Sequence, residues 1–168
     1  MSALISCILP VYNNRDSLVD NFGNLVYQSI YEKYGEDSLE IILLDDASSD
    51  DTVSAVDDLC MQFPGRVRGY HLSEHMSFGG ACNLGLDEAR GQYVSFMNAS
   101  DMVDVAFYER IYEKAVEGDF YYDYVDSPIY NEANGKIVIA TPVDFAGALV
   151  PDKRNALLTD TGLIYSRI

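Results

Sequence analysis

Glu40-Ile41-Ile42-Leu43-Leu44-Asp45-Asp46-Ala47-Ser48-Ser49-Asp50-Asp51-Thr52 decides the architecture. Its apolar run has no polar alternation, so it reads as a strand covered on both faces, the kind found in parallel sheets. Two carboxylates end the run, and Ser48 to Thr52 are rich in helix-capping residues. Val53, Val56, Leu59 and Phe63 then recur at helical spacing. The stretch is therefore a buried strand, an acidic end and the start of a crossover helix.

The same grammar extends in both directions. Upstream, Leu4-Ile5-Ser6-Cys7-Ile8-Leu9 is a second apolar run, stopped by Pro10. Asp16 or Ser17 can cap a helix carrying Leu18, Val19, Phe22, Leu25, Val26 and Ile30. Downstream, Arg66 to Leu72 suits a third strand, and Gly79 to Gly85 leads into a helix ending near Gly91. Tyr93-Val94-Ser95-Phe96-Met97 suits a fourth strand, and Val105 to Val116 another amphipathic helix. Alternation of this kind predicts an α/β fold, doubly wound around a mainly parallel sheet with right-handed crossovers. After Gly118, Phe120 to Val125 and Lys136 to Ala140 suit short strands that can pair across a turn at Asn131 to Gly135. Thr141 to Leu158 has no clear period, and Thr161 to Tyr165 suits one more strand.

Bulk properties narrow the partners. The chain has 168 residues, enough for one domain with a real core, and is 48% hydrophobic. Eleven basic against 27 acidic residues give a formal charge of −16, which repels nucleic acid and anionic lipid headgroups. A phosphorylated ligand would need a metal, a helix N-terminus or backbone N–H groups to offset that field. Cys7, Cys60 and Cys82 have neither zinc spacing nor a disulfide framework, so a reducing, cytoplasmic setting is expected. Met1 to Ile8 lacks the marks of a signal peptide, and no run approaches the ~20 apolar residues of a membrane span.

In open α/β sheets ligands bind beyond the carboxyl ends of the strands. Three polar clusters follow apolar runs directly and should converge there: Pro10-Val11-Tyr12-Asn13-Asn14, Asp45-Asp46 and Asn98-Ala99-Ser100-Asp101. The spacing implies a site and leaves its ligand open. Bland readings exist beside it. Asp45-Asp46 suits a helix cap or solvated turn, and Ser100 or Asp101 suits a cap for the Val105 helix. His71 and His75 flank a loop without placeable metal partners, and Tyr121, Tyr122, Tyr124 and Tyr130 suit sheet packing as well as sugar stacking.

Ile8 to Asn13 resembles the opening strand and loop of family 2 glycosyltransferases. Ile41 to Thr52 is similar to their second strand, acidic pair and helix cap. Gly80-Ala81-Cys82-Asn83-Leu84-Gly85 and Ala89 to Val94 resemble the helix and strand preceding their metal motif. The resemblance covers roughly residues 4 to 104 and implies the GT-A fold. It implies a nucleotide-binding α/β unit over 1–117, with 118–168 beginning the acceptor-side portion of a single donor-binding domain over 1–168. By that resemblance Pro10, Val11, Tyr12, Asn13, Asp46 and Asn83 bind a nucleotide, Asp46 accepting from the N–H of a uracil-type base. The partners implied are a UDP-sugar donor and a saccharide acceptor, as in cell-surface polysaccharide synthesis. The parent would work at the inner face of a membrane, with the catalytic base beyond Ile168.

Two departures qualify the resemblance. The family's Asp-x-Asp, which holds Mg²⁺ or Mn²⁺, aligns with Asn98 and Ser100, leaving Asp101 as the one carboxylate of that cluster. Neutral oxygens fix a hard cation poorly. Cys82 also stands where the family often has Arg. A non-catalytic nucleotide-sugar-binding module is therefore the alternative reading. A phosphorylated receiver domain, suggested by Asp45-Asp46, Asp101 and Lys153, is disfavoured. Its acidic pair should end the first strand, and Asn98 holds the place of the phosphorylated Asp.

Overall fold

A computed structural model describes residues 3–117, 124–125, 129–133, 136–140 and 164–166. Four strands, β1 (Ile5–Val11), β2 (Leu39–Asp45), β3 (Val67–His71) and β4 (Tyr93–Phe96), lie parallel in the order β3-β2-β1-β4. Every residue of β1, β2 and β4 is buried, the burial on both faces that their uninterrupted apolar runs predict.

Alternate residues serve the two faces. Ile5, Cys7, Leu9, Val11, Leu39, Ile41 and Leu43 pack into one core with residues of α1 (Arg15–Val26), α2 (Ile30–Tyr34), α3 (Thr52–Gln62) and α5 (Phe107–Ala115). Ile8, Ile42, Leu44, Val94 and Phe96 meet Ala81 and Cys82 of α4 (Phe78–Glu88) on the other face. Gly85 permits that approach. A Cβ there would stand 2.4 Å from Ile8 Cγ2 and 2.9 Å from Leu44 Cδ1.

Ser6 and Glu40 interrupt the second face with buried polar groups. Ser6 Oγ donates to Glu40 Oε1, which also accepts the Arg90 amide at 2.6 Å. Arg68 Nη2 donates to Glu40 Oε2 at 2.9 Å, and the Gly91 amide to Ser6 Oγ at 2.8 Å. A buried carboxylate with this many donors is satisfied, and the network binds three strands at the end opposite the polar clusters.

Beyond β4 the sheet continues through β8 (Ile164–Ser166) to β5 (Tyr124–Val125), each antiparallel to its neighbours. β6 (Ile129–Ala133) and β7 (Lys136–Ala140) form a separate antiparallel pair. Here the expected pairing of Phe120–Val125 with Lys136–Ala140 is corrected. Asn131 to Ala133, read as turn, continue β6. Asn134-Gly135, a dipeptide favoured in two-residue hairpin loops, separates β6 from β7 in the sequence. Readings placed on Tyr121, Tyr122 and the Thr141–Leu158 stretch lie outside the described residues.

Smaller corrections concern helix ends. α1 begins at Arg15 after an Asn14 N-cap that makes no side-chain cap bond, rather than behind Asp16 or Ser17. It stops at Val26, and Ile30 opens the short α2. Val19 faces solvent rather than the core. α5 begins at Phe107, so neither Ser100 nor Asp101 caps it.

Candidate functional site

The chain runs outward from β1 through β2 to β3, then returns to place β4 on the other side of β1. That reversal opens a crevice beyond the carboxyl ends of β1 and β4. A cavity of ≈ 250 Å³ occupies it, lined by Pro10, Val11 and Tyr12, by Asn14, by Asp46 after β2, and by Asn98, Ala99 and Ser100 after β4. His75 and Phe78 complete it from the β3–α4 segment. All three polar clusters read from the sequence thus meet at one place.

Asp46 is the best-defined group there. Its amide donates to the Val11 carbonyl at 2.8 Å, fixing the end of β2 beside β1. Its side chain is only 3% exposed, so the solvated-turn reading does not hold. Oδ1 accepts the Met76 amide at 2.7 Å, and Oδ2 lies 2.8 Å from His75 Nδ1. The His75 imidazole thus lies within ion-pairing distance of the carboxylate. The same ring stacks on Tyr12, centroids 4.1 Å apart at 25°.

Asp45 turns away to an equally structural task. Its Oδ1 accepts the Ser48 amide at 3.1 Å and its Oδ2 meets His71 Nδ1 at 3.1 Å. His71 Nε2 reaches Asp57 of α3 at 3.0 Å. Hydrogen bonds to Asp57 and then Asp45 hold the imidazolium form, raising the His71 pKa above 6.5 against a partial burial that opposes it.

The remaining predicted residues divide. Pro10, Val11 and Tyr12 line the cavity as expected. Asn13 sits beside it as a latch with positive φ, +46°. Its amide donates to Ser48 Oγ at 3.0 Å and its Oδ1 accepts the Ser49 amide at 2.8 Å. Asn83 is exposed on α4 and is not among the lining residues. Asn98 and Ser100 line the cavity, whereas Asp101 Oδ2 accepts Asn98's amide at 2.7 Å and its Nδ2 at 3.2 Å. The sequence reading set His75 aside as a loop histidine and did not single out Phe78. Their one legible signal was position, immediately after β3 on the edge where the other clusters gather.

A divalent cation finds little to hold it. Among the described residues no three His, Cys, Asp or Glu side chains are grouped to hold a metal. Asn98 and Ser100 offer neutral oxygens, and the Asp101 carboxylate already closes its own turn. This donor set does not fit a resident Mg²⁺ or Mn²⁺. Nor, among the described residues, does any lysine or arginine line the cavity. Among the described residues no helix is long and apolar enough to cross a membrane.

Comparison with known proteins places this geometry. The sequence pattern of Glycosyl transferase family 2 matches residues 6–165. Glycosyltransferase GlyG of Streptococcus pneumoniae is 32% identical over 133 residues, covering 76% of this chain and 42% of GlyG. Minor teichoic acid biosynthesis protein GgaB of Bacillus subtilis is 26% identical over 125 residues, 74% of this chain and 13% of its own length. The chain thus spans less than half the length of these curated relatives. Among solved structures, S. aureus TarS 1-349 in complex with UDP superposes with a TM-score of 0.69 at 18% identity, covering 96% of this chain and 46% of that one. Mannosyltransferase PcManGT from Pyrobaculum calidifontis, solved with GDP-Man and Mn²⁺, gives 0.64 at 22%, covering 75% and 35%. With the polar strand ends gathered at the switch point of a mainly parallel sheet, and with the family pattern running through nearly all of it, this chain has the GT-A fold and belongs to glycosyl transferase family 2.

Proposed function

We propose that the chain is the nucleotide-sugar-binding part of an inverting glycosyltransferase that uses a UDP-sugar to build a cell-surface saccharide. Asp46 carries this reading: a buried carboxylate at the carboxyl end of β2, facing a cavity beside an exposed tyrosine ring. Such a carboxylate selects a base that presents a ring N–H, and Tyr12 offers a face for stacking. Pro10 and Val11 bring backbone groups to the same wall. Similarity to a teichoic acid biosynthesis protein, and to a fold solved with UDP, supports the choice of donor and product class.

In this reading residues 1–117 hold the donor, and 118–168 begin the acceptor side. A carboxylate base deprotonates the acceptor hydroxyl as its oxygen attacks the anomeric carbon, and the nucleoside diphosphate leaves from the opposite face. In this reading Asp46 serves the base site, and Asp101 Oδ2 already accepts Asn98's amide. By the family resemblance, the general base is assigned to the acceptor-side portion of the parent. The 168 residues alone bind donor without transferring it. Any Mg²⁺ or Mn²⁺ arrives with the donor's diphosphate rather than residing in the protein. The parent works in the cytoplasm, at the inner face of the membrane.

Calorimetry with UDP tests the base site. Asp46→Ala removes a charge-assisted hydrogen bond of about 1.5–3 kcal/mol, weakening UDP at least about ten-fold. Equal affinity in wild type and variant overturns the assignment. The neutral oxygens of Asn98 and Ser100 favour a second reading, a nucleotide-sugar-binding module without turnover. Transfer assays on the full-length parent separate the two.

A further inference from the structure

Asp46 is 3% exposed, and what covers it is the neighbouring loop: the Met76 amide on Oδ1 and the His75 imidazole on Oδ2. A nucleobase N–H cannot reach a carboxylate that is so covered unless something moves. The Met76 contact is backbone, set where Ser77 takes a positive φ of +78° immediately before α4. The His75 contact is a side chain, 51% exposed, lying over a tyrosine that is itself 48% exposed. Of the two covers the side chain is the one that rotates away without unmaking the loop.

The imidazole does in this structure what a base would do. It is a flat heteroaromatic ring stacked on Tyr12 at 4.1 Å, with its Nδ1 2.8 Å from Asp46 Oδ2. A uracil-type base presents the same two features, a π face and an in-plane ring nitrogen, and its nitrogen carries a proton for the carboxylate. We propose that His75 is an internal placeholder for the nucleobase. It occupies the Tyr12–Asp46 site in the empty protein and must swing out for the donor to bind. This rests on the assignment of Asp46 and Tyr12 to the base. It makes His75 a specificity-determining residue, because only a ligand that replaces both the stack and the contact with the Asp46 carboxylate displaces it at no net loss. Bases that turn a lone pair toward Asp46, such as cytosine at the equivalent ring nitrogen, meet a carboxylate that prefers its histidine.

A placeholder taxes affinity by the fraction of time the site is closed. Occupancy of about nine-tenths would weaken apparent binding about ten-fold. His75→Ala should therefore tighten UDP binding, by about five- to ten-fold in calorimetry. His75→Gln, which keeps a side-chain N–H for Asp46 but has no ring to stack, should fall between wild type and His75→Ala. The protein has two histidines, His71 and His75, so NMR of the imidazole signals can follow each. UDP should move the His75 signals toward those of a free imidazole and leave His71 in place. If wild type binds UDP and His75→Ala binds it equally or more weakly, His75 is a wall of the base site or a bystander. The placeholder is then wrong while the base site stands. If neither protein binds UDP, and Asp46→Ala changes nothing, the base-site reading itself has failed and the placeholder falls with it.

Discussion

At the residue scale, single side chains decide what the site can hold. Asn98 and Ser100 put neutral oxygens where a carboxylate pair would favour a hard cation. UDP affinity of the natural sequence should therefore change less than about two-fold on adding Mn²⁺. The paired change Asn98→Asp with Ser100→Asp should introduce a clear metal dependence in calorimetry. No gain in the double variant would mean that this cluster does not face the diphosphate. His71 offers a test of a different kind. Its bonds to Asp57 and Asp45 raise its pKa above 6.5, so the folded state holds the proton more tightly than the unfolded chain does. The stabilisation is full below about pH 6.5 and is lost as pH rises through the raised value. Both partners of the outer pair are substantially exposed, so solvent screening limits it to about 0.2–1 kcal/mol. Urea midpoints of wild type and His71→Ala should accordingly differ more at pH 6 than at pH 9. A gap that widens with pH would contradict the protonated bridge.

At the element scale, the site depends on how closely α4 lies on the sheet. Gly85 sits over Ile8 and Leu44, two residues before Pro10 and Asp46 respectively. Gly85→Ala gains about 1 kcal/mol of helix propensity. It also forces a methyl to within 2.4 Å of Ile8 Cγ2, and overpacking of that kind costs about 1–3 kcal/mol. Net destabilisation in urea unfolding is expected, together with weaker UDP binding as both strand ends shift. An unchanged midpoint would show that α4 can lift away freely. The strands themselves were legible because runs such as Ile41 to Leu44 allow only burial on both faces. The helix ends were less so. Asn14, Asp51 and Ala106 cap their helices without a side-chain bond, so the capping residues at Asp16, Ser17 and Ser100 were misleading signals.

For the whole molecule, charge sets the conditions of binding. A net charge of −16 surrounds a cavity with no lysine or arginine in its lining among the described residues, so the protein's field opposes an anionic nucleotide. Screening that field should help. Raising salt from about 10 to about 150 mM shortens the Debye length from about 30 to about 8 Å. UDP should then bind more tightly, by up to a few-fold in calorimetry, whereas a lysine-lined pocket would show the reverse. Weakening with salt would point to a basic phosphate site outside the described residues. The sequence by itself determined the strand–helix alternation, the parallel core and the convergence of Pro10–Tyr12, Asp46 and Asn98–Ser100, because hydrophobic period and strand ends are local properties of the chain. It also carried the family resemblance that the match over residues 6–165 bears out. Only the tertiary structure decided how those polar groups are spent. Asn13 became a latch to Ser48 and Ser49, Asp101 closed a turn on Asn98, and Glu40 joined a buried network with Ser6 and Arg68. His75, unremarkable in the sequence, came to rest on Tyr12 and Asp46. The reason is physical: a polar side chain's partner is whatever folding brings within about 3 Å, and no local pattern encodes a contact between residues 63 positions apart such as Tyr12 and His75.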